Sequence, residues 1–297
     1  MNIFKNNRGE MTNEQIIILI LVIFSFAVIL FFLLRVNFGS KNQENICYNS
    51  VVMRANSPVD IPLDCKREYV CLTADNTCEK MTSPTKEKVK SKEDVYRALS
   101  EYSATCWWMF GEGKLNYLSK EYKPRLHCSI CYQIGFDNSL KKEIFPEGKI
   151  DRNEFYQYMA KTKISDKDYT YAEYLFEDFD FEDFSKQENK EIDLEEIYFI
   201  MMGSHSEVST LGWVVGGSLV TATGVVVGVL TGGVGLAVGW AAVKIAVVAG
   251  GAAGYGSSLL IPLIEGKSEN DFLPPFLVEA NSEEFKALNC VDVETKS

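Results

Sequence analysis

The 297-residue chain has few of the side chains and motifs on which enzymes and nucleic-acid-binding proteins rely. It has two histidines, His127 and His205, and it contains no G-x-S-x-G, H-E-x-x-H, Walker A or strand-linked G-x-G-x-x-G motif. Its 41 acidic residues outnumber its 30 basic residues, and the net charge of −11 argues against binding to nucleic acid. The sequence therefore predicts a protein without catalytic residues, cofactor or metal ion.

Charge is also missing from a long stretch near the amino terminus. Residues 16–34 carry no charged side chain and one hydroxyl, Ser25. At 1.5 Å per residue they nearly span a hydrocarbon core of ~30 Å. A buried core helix and a cleaved secretory signal are the alternatives, but no A-x-A-like site follows Leu34. We expect a retained transmembrane helix at 15–36 after a cytoplasmic leader at 1–14.

A second apolar block covers residues 208–264, where Lys244 is the only charged side chain. Many of its glycines are four residues apart, a spacing that lets two helix backbones approach closely. The pattern predicts a glycine-rich transmembrane helical hairpin. A hairpin buried in a soluble protein and a flexible glycine-rich segment are the alternatives, since glycine costs ~1 kcal/mol per helical position in water. The predicted helix-packing glycines are Gly212, Gly216, Gly224, Gly228, Gly232, Gly235, Gly239, Gly250 and Gly254.

All eight cysteines lie outside the two apolar blocks. An even number of cysteines is typical of an oxidising compartment, which would place residues 37–207 and the tail at 265–297 outside the cell. The alternative is zinc, because Cys128 and Cys131 have the C-x2-C spacing of half a tetrahedral site, with His127 adjacent. No second half with that spacing is present. The disulfide candidates, whose pairing the sequence leaves open, are Cys47, Cys65, Cys71, Cys78, Cys106, Cys128, Cys131 and Cys290.

The exterior region divides into two parts. Residues 37–90 combine cysteines with strand-like and turn-like pieces, including "ICYNSVVMRA" and "REYVCLTADNTCE", and predict a small disulfide-stapled sheet. For residues 91–207 the sequence predicts mainly helices. The first of them has Ser91 as its N-cap and ends near Phe110. A second helix is expected at 151–160. Trp107 and Trp108 are interpreted as core residues rather than a ligand platform.

The segment "EGKIDRNEF" raises the possibility of calcium. It has Gly, Ile, Asp and Glu where positions 6, 8, 9 and 12 of an EF-hand loop require them, and "KEIDLEEI" partly repeats the pattern. In that register Glu143 and Phe145 occupy positions 1 and 3, so the side chains that normally supply the first calcium ligands of the loop are missing. The preferred interpretation is a solvated acidic face of amphipathic helices.

The first residues resemble the class III signal sequence of archaeal type IV pilin-like proteins. Arg8 and Gly9 would precede the cleavage site, Glu10 would begin the mature chain, and Glu14 falls at its fifth position. The resemblance implies a prepilin-type peptidase as a partner and a helix that is kept after processing. The remainder resembles a type of membrane protein of small-genome archaea, through "ICYNSVV", "CWWMFGEGK", "CSIC" and "EANSEEFKALNC". It implies a cell-envelope location and no particular activity.

Together these patterns predict a membrane α+β protein: an N-terminal transmembrane helix, a disulfide-stapled mixed α/β ectodomain and a C-terminal glycine-rich transmembrane hairpin. The predicted function is non-enzymatic, in surface assembly, adhesion or interaction. Its expected partners are the lipid bilayer, envelope proteins or further copies of the chain. The alternatives are a membrane-perturbing or pore-forming protein that uses the hairpin, and a membrane-tethered thiol oxidoreductase that uses Cys128 and Cys131.

Overall fold

A computed structural model describes residues 13–35, 40–118, 126–177, 191–205, 225–229, 244–249, 258–262, 264–265, 271–288, 290 and 295. The chain divides into two compact units, residues 1–42 and residues 43–297. The described helices are α1 (Asn13–Arg35), α2 (Ser40–Asn56), α3 (Lys92–Met109), α4 (Asn138–Glu143), α5 (Arg152–Lys161), α6 (Tyr171–Phe176) and α7 (Glu283–Ala287). The described strands are β1 (Glu68–Thr73), β2 (Thr85–Lys88), β3 (Leu126–Phe136), β4 (Lys149–Asp151), β5 (Glu191–Asp193), β6 (Tyr198–His205), β7 (Val225–Val229), β8 (Lys244–Ala249), β9 (Ser258–Pro262), β10 (Ile264–Glu265) and β11 (Asp271–Glu279).

A six-stranded mixed sheet organises the second unit, in the order β10-β11-β6-β3-β1-β2. Strand β1 runs parallel to both β2 and β3, and the remaining pairs are antiparallel. Parallel neighbours need a crossover connection, and α3 lies in the chain between β2 and β3. The strands are rich in β-branched and aromatic residues, as in "YFIMMGSH" of β6.

Helix α3 packs on one face of this sheet together with α5 and α6. Its start is the one predicted: the Ser91 Oγ accepts a hydrogen bond from the Asp94 amide at 3.2 Å. Leu99 of α3 and Ile134 of β3 are both fully buried in the core that forms between helix and sheet. The second predicted helix is also present, as α5, with Asp151 at its N-cap.

A second, smaller core covers the opposite face. Cys128, Ile130, Phe199, Met201 and Leu273 pack there with residues of α7. A β-bulge in β3 between Ile130 and Tyr132 changes which side chains face the helices. As a result, Cys131 and Tyr132, although adjacent, both belong to the helix-side core.

Several predicted elements have a different structure. The segment "ICYNSVVMRA" lies in helix α2, not in a strand, and Cys47 and Val51 are buried on it. Residues 91–207, expected to be mainly helical, supply β3 and β6, the two strands at the centre of the large sheet. The strands of 37–90 do not form a separate small sheet, because β1 pairs with β3.

The N-terminal prediction also needs correction. A helix does form there, and the large apolar side chains described at 16–28 are exposed; Phe24, for example, is 67% exposed. Within the described ranges, none of the helices has the combined length and hydropathy that a membrane crossing requires. The transmembrane helix and signal-anchor predicted at 15–36 are therefore replaced by helix α1 alone.

The apolar block at 208–264 is not a helical hairpin where it is described. Strands β7, β8 and β9 form a three-stranded antiparallel sheet, with Val226 opposite Val247 and Val247 opposite Leu260. The physical reason is local composition: β7 reads "VVVGV" and β8 reads "KIAVVA", and β-branched side chains favour strands, while glycine disfavours helices. The predicted membrane α+β fold is thus corrected to an α+β fold built on a mixed sheet.

Candidate functional site

All eight cysteines are joined in disulfides; seven of them lie between residues 47 and 131, and the eighth is Cys290. Three of the bonds close loops of 18, 7 and 25 residues, whereas the fourth joins residues 162 positions apart. The long bond fastens the C-terminal tail to β3, and the Ile130 amide donates a hydrogen bond to the Thr295 Oγ1 at 3.2 Å beside it. The pairs are Cys47–Cys65, Cys71–Cys78, Cys106–Cys131 and Cys128–Cys290.

The C-x2-C segment does not act as a unit in this arrangement. Cys128 and Cys131 lie an odd number of residues apart on a strand, so their side chains point to opposite faces of the sheet. Cys131 bonds to Cys106 of α3 in the helix-side core, and Cys128 bonds to Cys290 on the other side. A dithiol redox pair and a zinc half-site both require the two sulfur atoms to converge, and the structure separates them.

The tryptophans of α3 have structural positions. Trp107 is buried, and its ring meets the edge of Phe272 of β11 at 6.1 Å between centroids. Trp108 stacks on Tyr48 of α2 at 4.5 Å with an interplanar angle of 12°. Both rings therefore join elements of the fold, as expected from the sequence.

The two segments considered for calcium do meet, but through their backbones. Lys149–Asp151 pairs with Glu191–Asp193 as a two-stranded sheet with Ile150 opposite Ile192. The carboxylates nearby have other roles: Asp151 caps α5 by accepting from the Asn153 amide at 2.7 Å. Glu154 accepts from the Tyr96 hydroxyl at 2.8 Å and the Lys92 ammonium at 3.3 Å. In the described part of the chain, no group of three or more potential ligand side chains is arranged to hold a metal ion.

The remaining predicted site residues fall in three places. Gly9 and Glu10 lie outside the described residues, while Glu14 is in α1. Gly228 lies in β7, so the packing role predicted for it on a helix does not hold. The other predicted packing glycines lie outside the described residues. His205 is the last residue of β6.

A small polar cavity of about 40 Å³, open to solvent, lies where α5, β5, β6, β11 and α7 meet. Arg152, the first residue of α5, is 4% exposed, and its Nη1 donates to the Leu277 carbonyl at 3.4 Å. Glu284 of α7 is 8% exposed. The residues that line the cavity are Arg152, Glu191, Tyr198, Leu277, Val278, Glu279, Ser282 and Glu284.

The polar atoms of the cavity are positioned by local hydrogen bonds. The Ser282 Oγ accepts from the Phe285 amide at 3.1 Å and so caps α7. The Tyr198 hydroxyl accepts from the Asp193 amide at 2.8 Å. Burial raises the pKa of Tyr198 to about 12, so its hydroxyl stays neutral, and the negative charge of the cavity comes from carboxylates.

A second group of titratable side chains lies at the other end of the sheet. The Tyr132 hydroxyl donates to the Glu44 Oε1 at 3.1 Å, the Tyr102 hydroxyl donates to Glu87, and the two tyrosine rings are 4.6 Å apart. Burial, reinforced by the charge of Glu44, raises the pKa of Glu68. This cluster places carboxylates from α2, β1 and β2 around the buried phenol of Tyr132 and the partly buried phenol of Tyr102.

Sequence reasoning found neither cluster. The cavity joins residues from 152 to 284, and these positions share no motif or spacing that would connect them in advance.

Compared with known proteins, the chain matches no protein-family model, no curated protein and no solved structure.

Proposed function

We propose that this chain is a non-enzymatic protein of the cell envelope whose disulfide-stapled domain contacts other proteins, in surface assembly, adhesion or interaction. The observation that carries the proposal is the pairing of all eight cysteines within one domain. Disulfides form and persist in oxidising compartments and are rare where glutathione and thioredoxin keep thiols reduced. Cys128 and Cys131 belong to two separate structural disulfides and do not form a redox pair, which is consistent with a protein that acts by contacting other proteins.

Thiol trapping tests the compartment. Source cells are quenched in acid, the denatured protein is treated near neutral pH with a thiol-blocking maleimide, and the intact mass is measured without and with prior reduction. We expect no maleimide on the oxidised protein and eight after reduction, because every cysteine is paired. Maleimide on cysteines such as Cys71 or Cys128 before reduction would overturn the proposal.

Surface labelling tests exposure to the exterior. An impermeant amine-reactive biotin reagent is applied to intact cells and, separately, to lysed cells. The second unit has exposed lysines on several elements, for example Lys92 and Lys149, so we expect labelling of intact cells. Peptides modified only after lysis would place the domain inside the cell and refute an envelope role.

A further inference from the structure

The second core, on the face of the sheet that α7 covers, is open at one end. One register row across β1, β3, β6 and β11 consists of Tyr69, Gln133, Phe199 and Val278, so these side chains share that face. Exposure rises along the row: Val278 is 3% and Phe199 9% exposed, Gln133 is half-buried, and Tyr69 is 37% exposed. Since Phe199 packs on Phe285 of α7 with 5.2 Å between ring centroids, the cover ends beside Phe199 and leaves Tyr69 open to solvent.

Arg67 lies at this open end, immediately before β1. Its guanidinium Cζ is 5.3 Å from the centroid of the Phe199 ring, and its Nε atom is buried. Three other arginines have described side chains: Arg54 and Arg97 are paired with carboxylates, and Arg152 donates to a backbone carbonyl. None of the residues that the structure describes gives Arg67 a carboxylate or a hydrogen-bond acceptor. Arg67 is therefore a fixed cation with its charge still available.

A guanidinium held in this way suits a carboxylate. Its planar fork of N–H donors matches the two oxygens of a carboxylate group. The contact with Phe199 already restricts the Arg67 side chain, so less conformational freedom is lost when an anion pairs with it. Tyr69 and Gln133, which are register partners, bring a hydroxyl and an amide donor to the same end of the face. Because the net charge of −11 repels anions in general, attraction of a carboxylate here has to be local.

From this geometry we infer that Arg67, Tyr69 and Phe199 form a docking site, the Arg67 site, for one aspartate or glutamate side chain of a protein partner. The carboxylate pairs with the terminal Nη atoms of Arg67, and the neighbouring part of the partner packs on the exposed Tyr69 ring. Arginine and tyrosine are among the residues that contribute most to binding in protein interfaces. The inference rests on the proposed contact function and specifies the chemistry of the contact.

The test is an NMR titration of the oxidised full-length chain, labelled with ¹⁵N, by N-acetyl-glutamate methylamide. N-acetyl-glutamine methylamide, which has nearly the same shape without the charge, is the control probe. We expect saturable amide shifts at residues 67–70 and 133 with the glutamate probe, and none there with the glutamine probe. Equal binding of the two probes, or no glutamate binding up to its solubility limit, would overturn the inference. Tighter binding of inorganic phosphate at the same amides would overturn the assignment to a carboxylate.

Two arginines provide a matched pair of variants. Arg67→Gln removes the guanidinium from the site, whereas Arg97→Gln removes the same charge from α3, where Arg97 is paired with Asp94. We expect R67Q to weaken glutamate binding about threefold or more and R97Q to leave it unchanged. Equal weakening by both would mean general attraction to positive charge and would refute the site. If R67Q does not fold, Tyr69→Ala, at a more exposed position, takes its place, and unchanged binding in Y69A would refute the site.

The two proposals fail separately. Maleimide labelling before reduction would contradict the envelope role and leave the glutamate titration intact. Failure of the titration with fully oxidised protein would contradict the docking site and leave the compartment unaffected.

Discussion

Cys128 and Cys131 lie three residues apart on one strand and are bonded to cysteines on opposite faces of the same sheet. Cys131 ties α3 to the sheet, and Cys128 ties the C-terminal tail to the other side. The two bonds therefore hold three layers together through one strand, β3. This explains why a C-x2-C spacing, which often marks a metal or redox site, has a structural role here.

Loss of the Cys128–Cys290 bond should destabilise the domain more than loss of the Cys71–Cys78 bond. In the chain-entropy model, cross-links over 162 and 7 residues contribute about 5 and about 2 kcal/mol to the free energy of unfolding. We expect C128A/C290A to lose the larger amount in urea unfolding. C71A/C78A is the matched control, because Cys71 and Cys128 are equally buried. Equal losses would show that the tail is held by other contacts.

Trp107 should matter more for stability than Trp108. Trp107 is buried against Phe272, so we expect W107A to lower the free energy of unfolding by about 3–5 kcal/mol. Trp108 is half-buried and stacks on one side against Tyr48, so W108A should cost less than half as much. Urea unfolding followed by circular dichroism measures both changes. A larger loss from W108A would contradict the position of α2 on α3.

Ionisation of the Glu68 carboxyl should make the folded domain less stable as the pH rises. Burial and the Glu44 charge raise its folded-state pKa, and Tyr102 and Tyr132 are the other titratable groups that sense its charge. A raised pKa contributes stability below the unfolded value, about 4.3, and that contribution is lost as pH rises through the folded value. We expect Glu68→Gln to unfold at higher urea than the parent at pH 7, with the difference vanishing near pH 4.

Glu154 serves as a control for Glu68, because its pKa is shifted in the opposite direction. The hydrogen bond from Tyr96 lowers its pKa, so its contribution is present above the unfolded value and is lost as pH falls through the folded one. Glu154→Gln should therefore destabilise at pH 7 and have less effect in acid. If E68Q and E154Q changed the free energy of unfolding in the same direction at pH 7, this would contradict the environments assigned to the two carboxyls.

The cap of α3 gives a local prediction. Ser91→Ala removes the acceptor for the Asp94 amide and should cost about 1 kcal/mol, while Ser91→Asp keeps an acceptor and should restore most of it. Equilibrium urea unfolding of the three proteins measures the difference. No loss in the alanine variant would show that water replaces the cap at no cost.

Helices with local signals could be predicted from sequence. Ser91 and the apolar spacing after it gave the start and length of α3, and Asp151 gave the start of α5. The Asp75-Asn76 turn was also predictable, because asparagine tolerates the positive φ of 69° found at Asn76. In each case the decisive interactions lie within a few residues of one another.

Elements that depend on distant partners could not be predicted. The "ICYNSVV" segment has strand-like composition, yet α2 forms there because Cys47 bonds to Cys65 and Tyr48 stacks on Trp108. Apolar character alone did not distinguish helices from strands at 208–264, where β7, β8 and β9 occur. The cavity was hidden for the same reason, since Arg152 and Glu284 are brought together only by the sheet.

The pairing of Cys128 with the tail has a consequence during synthesis. When residue 131 has been made, its partner Cys106 already exists, but the partner of Cys128 lies 162 positions after it and has not yet been made. Throughout that interval Cys128 has no partner in the nascent chain, whereas both cysteines of each of the other three pairs have already been synthesised. The last link of the domain therefore depends on the arrival of its final residues, and a chain released early would keep a reactive sulfur at its centre.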